Sequence, residues 1–252
     1  MPDRARGAEL LYGRNAVMEA LRGRRSLRRL IVAEGSARQP RIATLIEAAA
    51  RRRVPVQQVP HADLDRLLPQ VNHQGVALEA GPYPYVALDA LLRQAEGRPL
   101  LALDHIQDPQ NLGTLMRTAE AVGAGGLLLP DRRAAGITPA VVNASAGAVE
   151  HLRVALVANL GRALEDCQAA GYWLVALEAG PSAQNLFTAD VPEPAVLIVG
   201  SEGKGIAPSL LRRADLQVAL PMLGRVESLN AAVAGSIALY DLLRRRLTAG
   251  SA

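Results

Sequence analysis

The chain has 252 residues, enough for one large domain or two small ones with a buried core. Half of the residues are hydrophobic and 21% are charged, which excludes a disordered chain, and the single cysteine, Cys167, excludes a disulfide framework or a cysteine-rich zinc site. The charge is unevenly placed: residues 1–80 carry 14 Arg against 8 Asp and Glu, net +6, whereas residues 81–252 carry 14 Lys and Arg against 16 acids, net −2.

Taken in order, the chain opens on a polar stretch, Met1 to Gly13, with no apolar run of signal length. Tyr12-Gly13-Arg14-Asn15-Ala16-Val17 reads as a turn opening a helix. Strands follow at 27–32, 54–59 and 75–78, with helices at 40–53 and 62–68 between them; Pro40 sits in a first turn, and Ile42, Leu45, Ile46 and Ala49 share one face. This is a small α/β unit, residues 1–80. Gly81-Pro82-Tyr83-Pro84-Tyr85 resists both helix and sheet, so residues 81–97 are assigned as a linker. A second α/β unit, residues 98–252, follows, with strands expected at 99–104, 126–129, 172–177, 195–200 and 216–220. Its helices are expected at 109–122, 158–170 and 228–246. Apolar runs such as Ala195-Val196-Leu197-Ile198-Val199 fit buried parallel strands. No window approaches the ~20 apolar residues of a membrane span, and a cytoplasmic protein is expected.

Parallel strands present their C-terminal ends to ligands, and three such ends carry unusual residues. After 99–104, Asp108 and Pro109 suit the N-cap and first turn of a helix, and Leu112, Leu115, Met116, Ala119 and Val122 form its apolar face. Asn111, Thr114 and Arg117 lie together on another face. After 195–200 comes Gly200-Ser201-Glu202-Gly203-Lys204-Gly205. It fails the Walker pattern, because Lys204 is followed by glycine, and it fails the dinucleotide pattern in glycine order. After 216–220 comes Pro221-Met222-Leu223-Gly224-Arg225-Val226-Glu227-Ser228-Leu229-Asn230, where Ser228 can cap the helix that follows. That helix is apolar on most of its surface, and its small residues fit close approach of another helix, as at a subunit interface. The four histidines show no metal-ligand spacing, no Ser-His-Asp set is present, and Cys167 reads as core. Of the 28 basic residues 27 are Arg and only Lys204 is Lys. Arginine forks onto phosphate and stacks on bases, so a basic first third points to nucleic acid. A GC-rich genome accounts for the Arg:Lys ratio equally well, though not for the asymmetry.

The three segments together, Asp108 to Ala119, Gly200 to Gly205 and Pro221 to Asn230, resemble the SpoU/TrmH branch of the SPOUT RNA 2′-O-ribose methyltransferases. The resemblance covers 98–246 with no departure at a motif position. Tyr12 to Val17 and His73-Gln74-Gly75-Val76 resemble the substrate-binding domain of the RlmB-type enzymes, which modify a guanosine in 23S rRNA. The resemblance implies an α/β protein: a small N-terminal RNA-binding domain followed by a SPOUT domain with a C-terminal trefoil knot, a feature no sequence pattern would otherwise indicate. It implies a homodimer that binds S-adenosylmethionine near Gly200, Leu220 and Leu229, without a metal. By motif match the functional polar set is Asn111, Arg117, Glu202, Ser228 and Asn230. In such enzymes the arginine matched by Arg117 is the proposed base. Because a guanidinium ordinarily holds its proton to about pH 12 or beyond, a phosphate clamp is the rival role. Asn111 would hold Arg117 or the ribose, Glu202 would orient Arg117, and Ser228 and Asn230 would complete the pocket. The alternatives are a tRNA ribose methyltransferase of the same superfamily, whose members typically lack the N-terminal domain, and a non-catalytic RNA-binding ribosome-assembly protein. A chain begun near residue 95 is expected to fold and bind S-adenosylmethionine.

Overall fold

This is a computed structural model, and it describes residues 7–131 and 136–249. The chain divides into two compact units, Met1–Pro84 with Ile137–His151, and Tyr85–Gly136 with Leu152–Ala252.

The first unit is built on four strands, β1 (Glu9–Tyr12), β2 (Leu27–Ala33), β3 (Val56–Val59) and β4 (Val76–Ala80), in the order β1-β4-β2-β3. β4 runs antiparallel to both neighbours, and β2 and β3 are parallel. Three helices, α1 (Arg14–Arg22), α2 (Pro40–Arg51) and α3 (His61–Leu67), cover the sheet. Of the four apolar positions read on α2, Ile42, Leu45 and Ala49 are buried and Ile46 is only half-buried, while Leu64 on α3 packs against Ile31, Ala33 and Ala77. Part of this core comes from far along the chain. Residues 137–151 enter it as α6 (Pro139–Ala144) and a short 3-10 turn (Ala148–His151), burying Val141, Val142 and Val149. Asn143 donates to the Tyr12 carbonyl at 3.2 Å. Glu150 meets Arg25, whose Nε lies 2.9 Å from Glu150 Oε1, with the two side chains 1% and 0% exposed. Arg25 also bonds Glu9 and the Gly81 carbonyl, and lies over the Tyr83 ring at 5.3 Å. Burial pushes the Glu150 carboxyl up from its usual range while Arg25 opposes the shift.

The second unit holds a seven-stranded parallel sheet: β5 (Leu100–Asp104), β6 (Gly126–Pro130), β7 (Val154–Val157), β8 (Trp173–Leu177), β9 (Gln184–Asn185), β10 (Ala195–Gly200) and β11 (Leu216–Ala219). Their order is β7-β6-β5-β10-β8-β11-β9. α4 (Leu88–Ala95), α7 (Leu160–Ala169) and α8 (Pro208–Leu211) pack on one face through Leu91, Leu164, Cys167 and Leu210. On the other lie α5 (Pro109–Ala121) and α9 (Ala231–Ala249). α9 comes so close that a Cβ on Gly235 would lie 2.6 Å from Leu115 and 3.2 Å from Val199. Cys167 is fully buried, and its thiol is pushed up to about 12 by desolvation.

Three expectations differ from this fold. The assigned linker contains α4, whose Leu91 and Ala95 are fully buried in the second unit, so that only its first residues connect. The helix expected from residue 228 begins at Ala231, and its small residues pack on α5 within the same chain. Residues 137–151 belong to the first unit, so the first unit is not a contiguous stretch.

Candidate active site

The chain lays β5, β6 and β7 outward in one direction, crosses to β8, and returns to place β10 between β5 and β8. A crevice at the carboxyl ends of the strands is expected where the winding reverses. A cleft of about 550 Å³ lies just beside that point, lined by the ends of β8, β10 and β11 and by residues 227–231. Gly200, Leu220 and Leu229 all line it, as do Glu202, Ser228 and Asn230.

Gly200 ends β10, and the loop behind it folds straight back. Gly205 N donates to Ser201 O at 2.9 Å, and a Cβ on Gly200 would sit 2.2 Å from the Gly205 carbonyl carbon. Two carboxylates pin the far side of this loop. Glu178 Oε2, just beyond β8, accepts from Ile206 N at 2.9 Å, and Asp104 Oδ2, at the end of β5, accepts from Ala207 N at 2.8 Å. His105 Nδ1 meets the other Asp104 oxygen at 2.5 Å. Asp104 and Glu178 are positioning residues that the motif reading passed over. Each is a carboxylate at or just past the last position of an apolar parallel strand, where burial requires a partner; that was the available signal.

The polar residues form a chain of constraints. Asp108 caps α5, accepting from Gln110 N at 3.0 Å, with Pro109 at the first position and Leu112, Leu115, Met116 and Ala119 buried. Asn111 projects from the first turn. Across the cleft, Asn230 caps α9: its Oδ1 accepts from Ala232 N at 3.0 Å and Val233 N at 3.1 Å. That fixes which end of the amide faces the helix, so Nδ2 must face the cleft. There it donates to Asn111 Oδ1 at 3.0 Å and to Glu202 Oε1, while Asn111 Nδ2 donates to Glu202 Oε1 at 3.0 Å. Residues 111, 202 and 230, far apart in sequence, thus form one closed network.

Two of the expected roles differ from what is observed. Asn230, not Ser228, is the cap of α9; Ser228 lines the cleft. Glu202 binds Asn111 and Asn230 rather than Arg117. Arg117 is exposed on α5, two turns beyond Asn111, and has no hydrogen-bond or ion-pair partner among the described residues. The cleft suits a ligand with an apolar and a polar end. Leu177, Leu220 and Leu229 supply apolar wall, Gly200 and Ser201 bring the strand end to it, and the volume lies in the range of small-molecule sites.

The chain is similar to proteins already known. Residues 98–240 match the SpoU rRNA Methylase family, and residues 10–86 match a domain described as RNA 2'-O ribose methyltransferase substrate binding. The putative TrmH family tRNA/rRNA methyltransferase YacO of Bacillus subtilis is 39% identical over 96% of this chain and 98% of its own length. The uncharacterized tRNA/rRNA methyltransferase slr0955 of Synechocystis is 40% identical over 94% of this chain, which spans only 63% of that protein. The crystal structure of an AdoMet-bound rRNA methyltransferase from Sinorhizobium meliloti is 28% identical, with TM-score 0.79, covering 94% of this chain and 87% of that one.

Proposed function

The chain belongs to the SpoU rRNA Methylase family, and from that premise we propose that it transfers a methyl group from S-adenosylmethionine to the ribose 2′-hydroxyl of a guanosine in 23S rRNA. The observation that carries this reading is the Asn111–Glu202–Asn230 network at the edge of a cleft containing Gly200. The rRNA assignment rests on the substrate-binding match over residues 10–86, on the net +6 of residues 1–80, and on the rRNA methyltransferase likeness.

S-adenosylmethionine, when bound, supplies a methyl group already activated on a sulfonium. The protein therefore has to align the hydroxyl, take up its proton and exclude water. Gly200 lets the loop through Gly205 fold back tightly against the strand end that borders the cleft, and Leu220 and Leu229 give the ligand apolar walls. Asn111 and Glu202, held rigid through the α9 cap, orient the ribose. Ser228, with no internal bond among the described residues, offers a hydroxyl to the cleft. Arg117 engages the nucleotide, either clamping its phosphate or moving the 2′-proton. The proposal includes the C-terminal trefoil knot, a cytoplasmic location, reaction without a metal, and a homodimer. Support for the dimer is the outer face of α9 with its surroundings, where Val233, Tyr240 and Phe187 are 45%, 54% and 48% exposed. No helix among the described residues is long and apolar enough to cross a membrane.

Tritium transfer from S-adenosylmethionine to protein-free ribosomal RNA, with the site mapped, tests the activity. Label appearing in tRNA and not in rRNA would overturn the substrate assignment. A second measurement tests the cleft: Gly200→Ala should weaken S-adenosylmethionine binding by about 10- to 100-fold, because the ~1–3 kcal/mol of overpacking falls on loop backbone that cannot yield. Unchanged titration calorimetry would remove Gly200 from the site.

A further inference from the structure

The first unit contains a polar cavity of about 310 Å³ that methyl transfer does not use. It lies where the start of α1, the loop before α2, the start of α3 and residues 71–75 meet. We propose that this cavity receives one unstacked nucleotide of the RNA substrate, read through side-chain amides and stacked on His61. The inference rests on the RNA reading above and adds to it a specificity subsite.

Consecutive left-handed residues, Gln74 at φ +55 and Gly75 at φ +79, turn the chain back on Arg14. Gln74 then receives Arg14 twice: its side-chain oxygen accepts from Arg14 N and its carbonyl from Arg14 Nε, each at 3.1 Å. Gln39 Oε1 accepts from the Arg14 guanidinium at 2.6 Å. Both glutamines therefore spend their oxygens on Arg14 and keep their NH₂ groups as donors. Asn72, exposed at the rim, bonds to nothing among the described residues and offers both a donor and an acceptor. The two glutamine amides, fixed in this way, are what reading a base edge requires, and Asn72 adds an amide free to bond the ligand.

The stacking surface is His61. One side faces the His73 ring, with centroids 5.1 Å apart, and its side chain is 61% exposed. Asp65 holds the pair, meeting His61 Nδ1 at 3.0 Å and His73 Nε2 at 2.9 Å. These three groups have the composition of a metal site and lie within 4.8 Å of one another. The tautomer argues against that use. His73 Nδ1 accepts from Gly75 N at 3.1 Å, so the ring proton is on Nε2, where it bonds Asp65. A metal on Nε2 would require an imidazolate. Histidine in place of Phe or Tyr as a stacking platform fits a unit with so few aromatic residues. Phosphate contacts fall to Arg38 and Arg41, which flank Gln39 in sequence, are exposed, and have no partner among the described residues. A duplex cannot present base edges to such a cavity, so the ligand is single-stranded RNA.

The test uses the full chain with a fluorescein-labelled 12-nucleotide single-stranded RNA of mixed sequence and a blunt duplex of the same length. The wild type should prefer the single strand by at least about 10-fold, the scale of one stacked and paired base. His61→Ala with Asn72→Ala should weaken binding at least about 10-fold and leave its salt slope unchanged, because neither side chain touches phosphate. Arg38→Gln with Arg41→Gln should flatten the slope by about 1.4, two single-strand phosphates at ~0.7 each. Arg51→Gln with Arg53→Gln, the same charge change at the other end of α2, should do neither. Thermal melting confirms that all variants fold. Wild-type affinity in the His61/Asn72 variant, no preference for the single strand, or equal slope changes at the two ends of α2 would overturn the assignment. If the wild type methylates ribosomal RNA while the cavity variants bind normally, the cavity alone is wrong. If it neither methylates nor binds any RNA, the underlying reading fails as well.

Discussion

Replacing Arg117 by alanine should silence methyl transfer by about 10³-fold or more, the size of effect expected when a group acting on the transition state is lost. Stability should stay within about 0.5 kcal/mol of wild type, as for surface positions away from buried networks. Both halves of this expectation follow from where the side chain sits. Arg117 is off the buried face of α5, which Leu112, Leu115, Met116 and Ala119 occupy, and it contributes no internal bond among the described residues. S-adenosylmethionine affinity should change little, since Arg117 does not line the cleft. The two candidate roles separate kinetically. A clamp raises KM for RNA and its salt dependence, whereas a proton acceptor lowers kcat and alters the pH profile. Activity within a few-fold of wild type would remove Arg117 from the reaction.

Arg25→Ala should destabilise the first unit by about 3–5 kcal/mol, the scale of breaking a buried ion pair from one side. The guanidinium and the Glu150 carboxylate are both shut away from water, and removing one leaves the other without compensation. In calorimetry the variant should melt the first unit at lower temperature. Glu150→Gln, which keeps shape and a hydrogen bond, should cost less. Equal stability of Arg25→Ala and wild type would show that the pair contributes nothing net. The same geometry reverses the expectation for truncation. A chain begun near residue 95 still carries residues 137–151, with Val141, Val142 and Val149 stripped of their partners. Such a chain is expected to self-associate through them.

Much of the second unit was legible because its strands are continuous apolar runs bounded by glycine, proline or a charge, as Leu100–Asp104 and Ala195–Gly200 are. α5 was legible from its cap and its spacing. β1 and β7 were not: β1 lies within the polar opening stretch, and β7 has no glycine or proline directly before or after it to mark its ends. α4 was hidden by its neighbours, since Pro82 and Pro84 mark only the residues just before it. The motifs named Asn111, Glu202 and Asn230, which the structure brings together, but not their pairing, and they grouped with these Arg117, which bonds none of the three. That Glu202 meets two amides depends on Asn230 turning its oxygen to the start of α9, a choice made by three-dimensional capping. The Arg25–Glu150 pair joins residues 125 positions apart, beyond any local signal.

The borrowed segment 137–151 also sets an order of events during synthesis. Domains ordinarily fold as they emerge, amino end first. Here the first 84 residues lack Glu150 and three core valines when they are made, and the missing piece ends 151 − 84 = 67 residues later. At ~5–20 residues per second that is a delay of about 3–13 s. Throughout it, Arg25 and the surface awaiting Val141, Val142 and Val149 stand uncovered on the nascent chain. The basic unit thus closes only after β5, α5 and β6 have been translated, and the completion of one body is timed by the growth of the other.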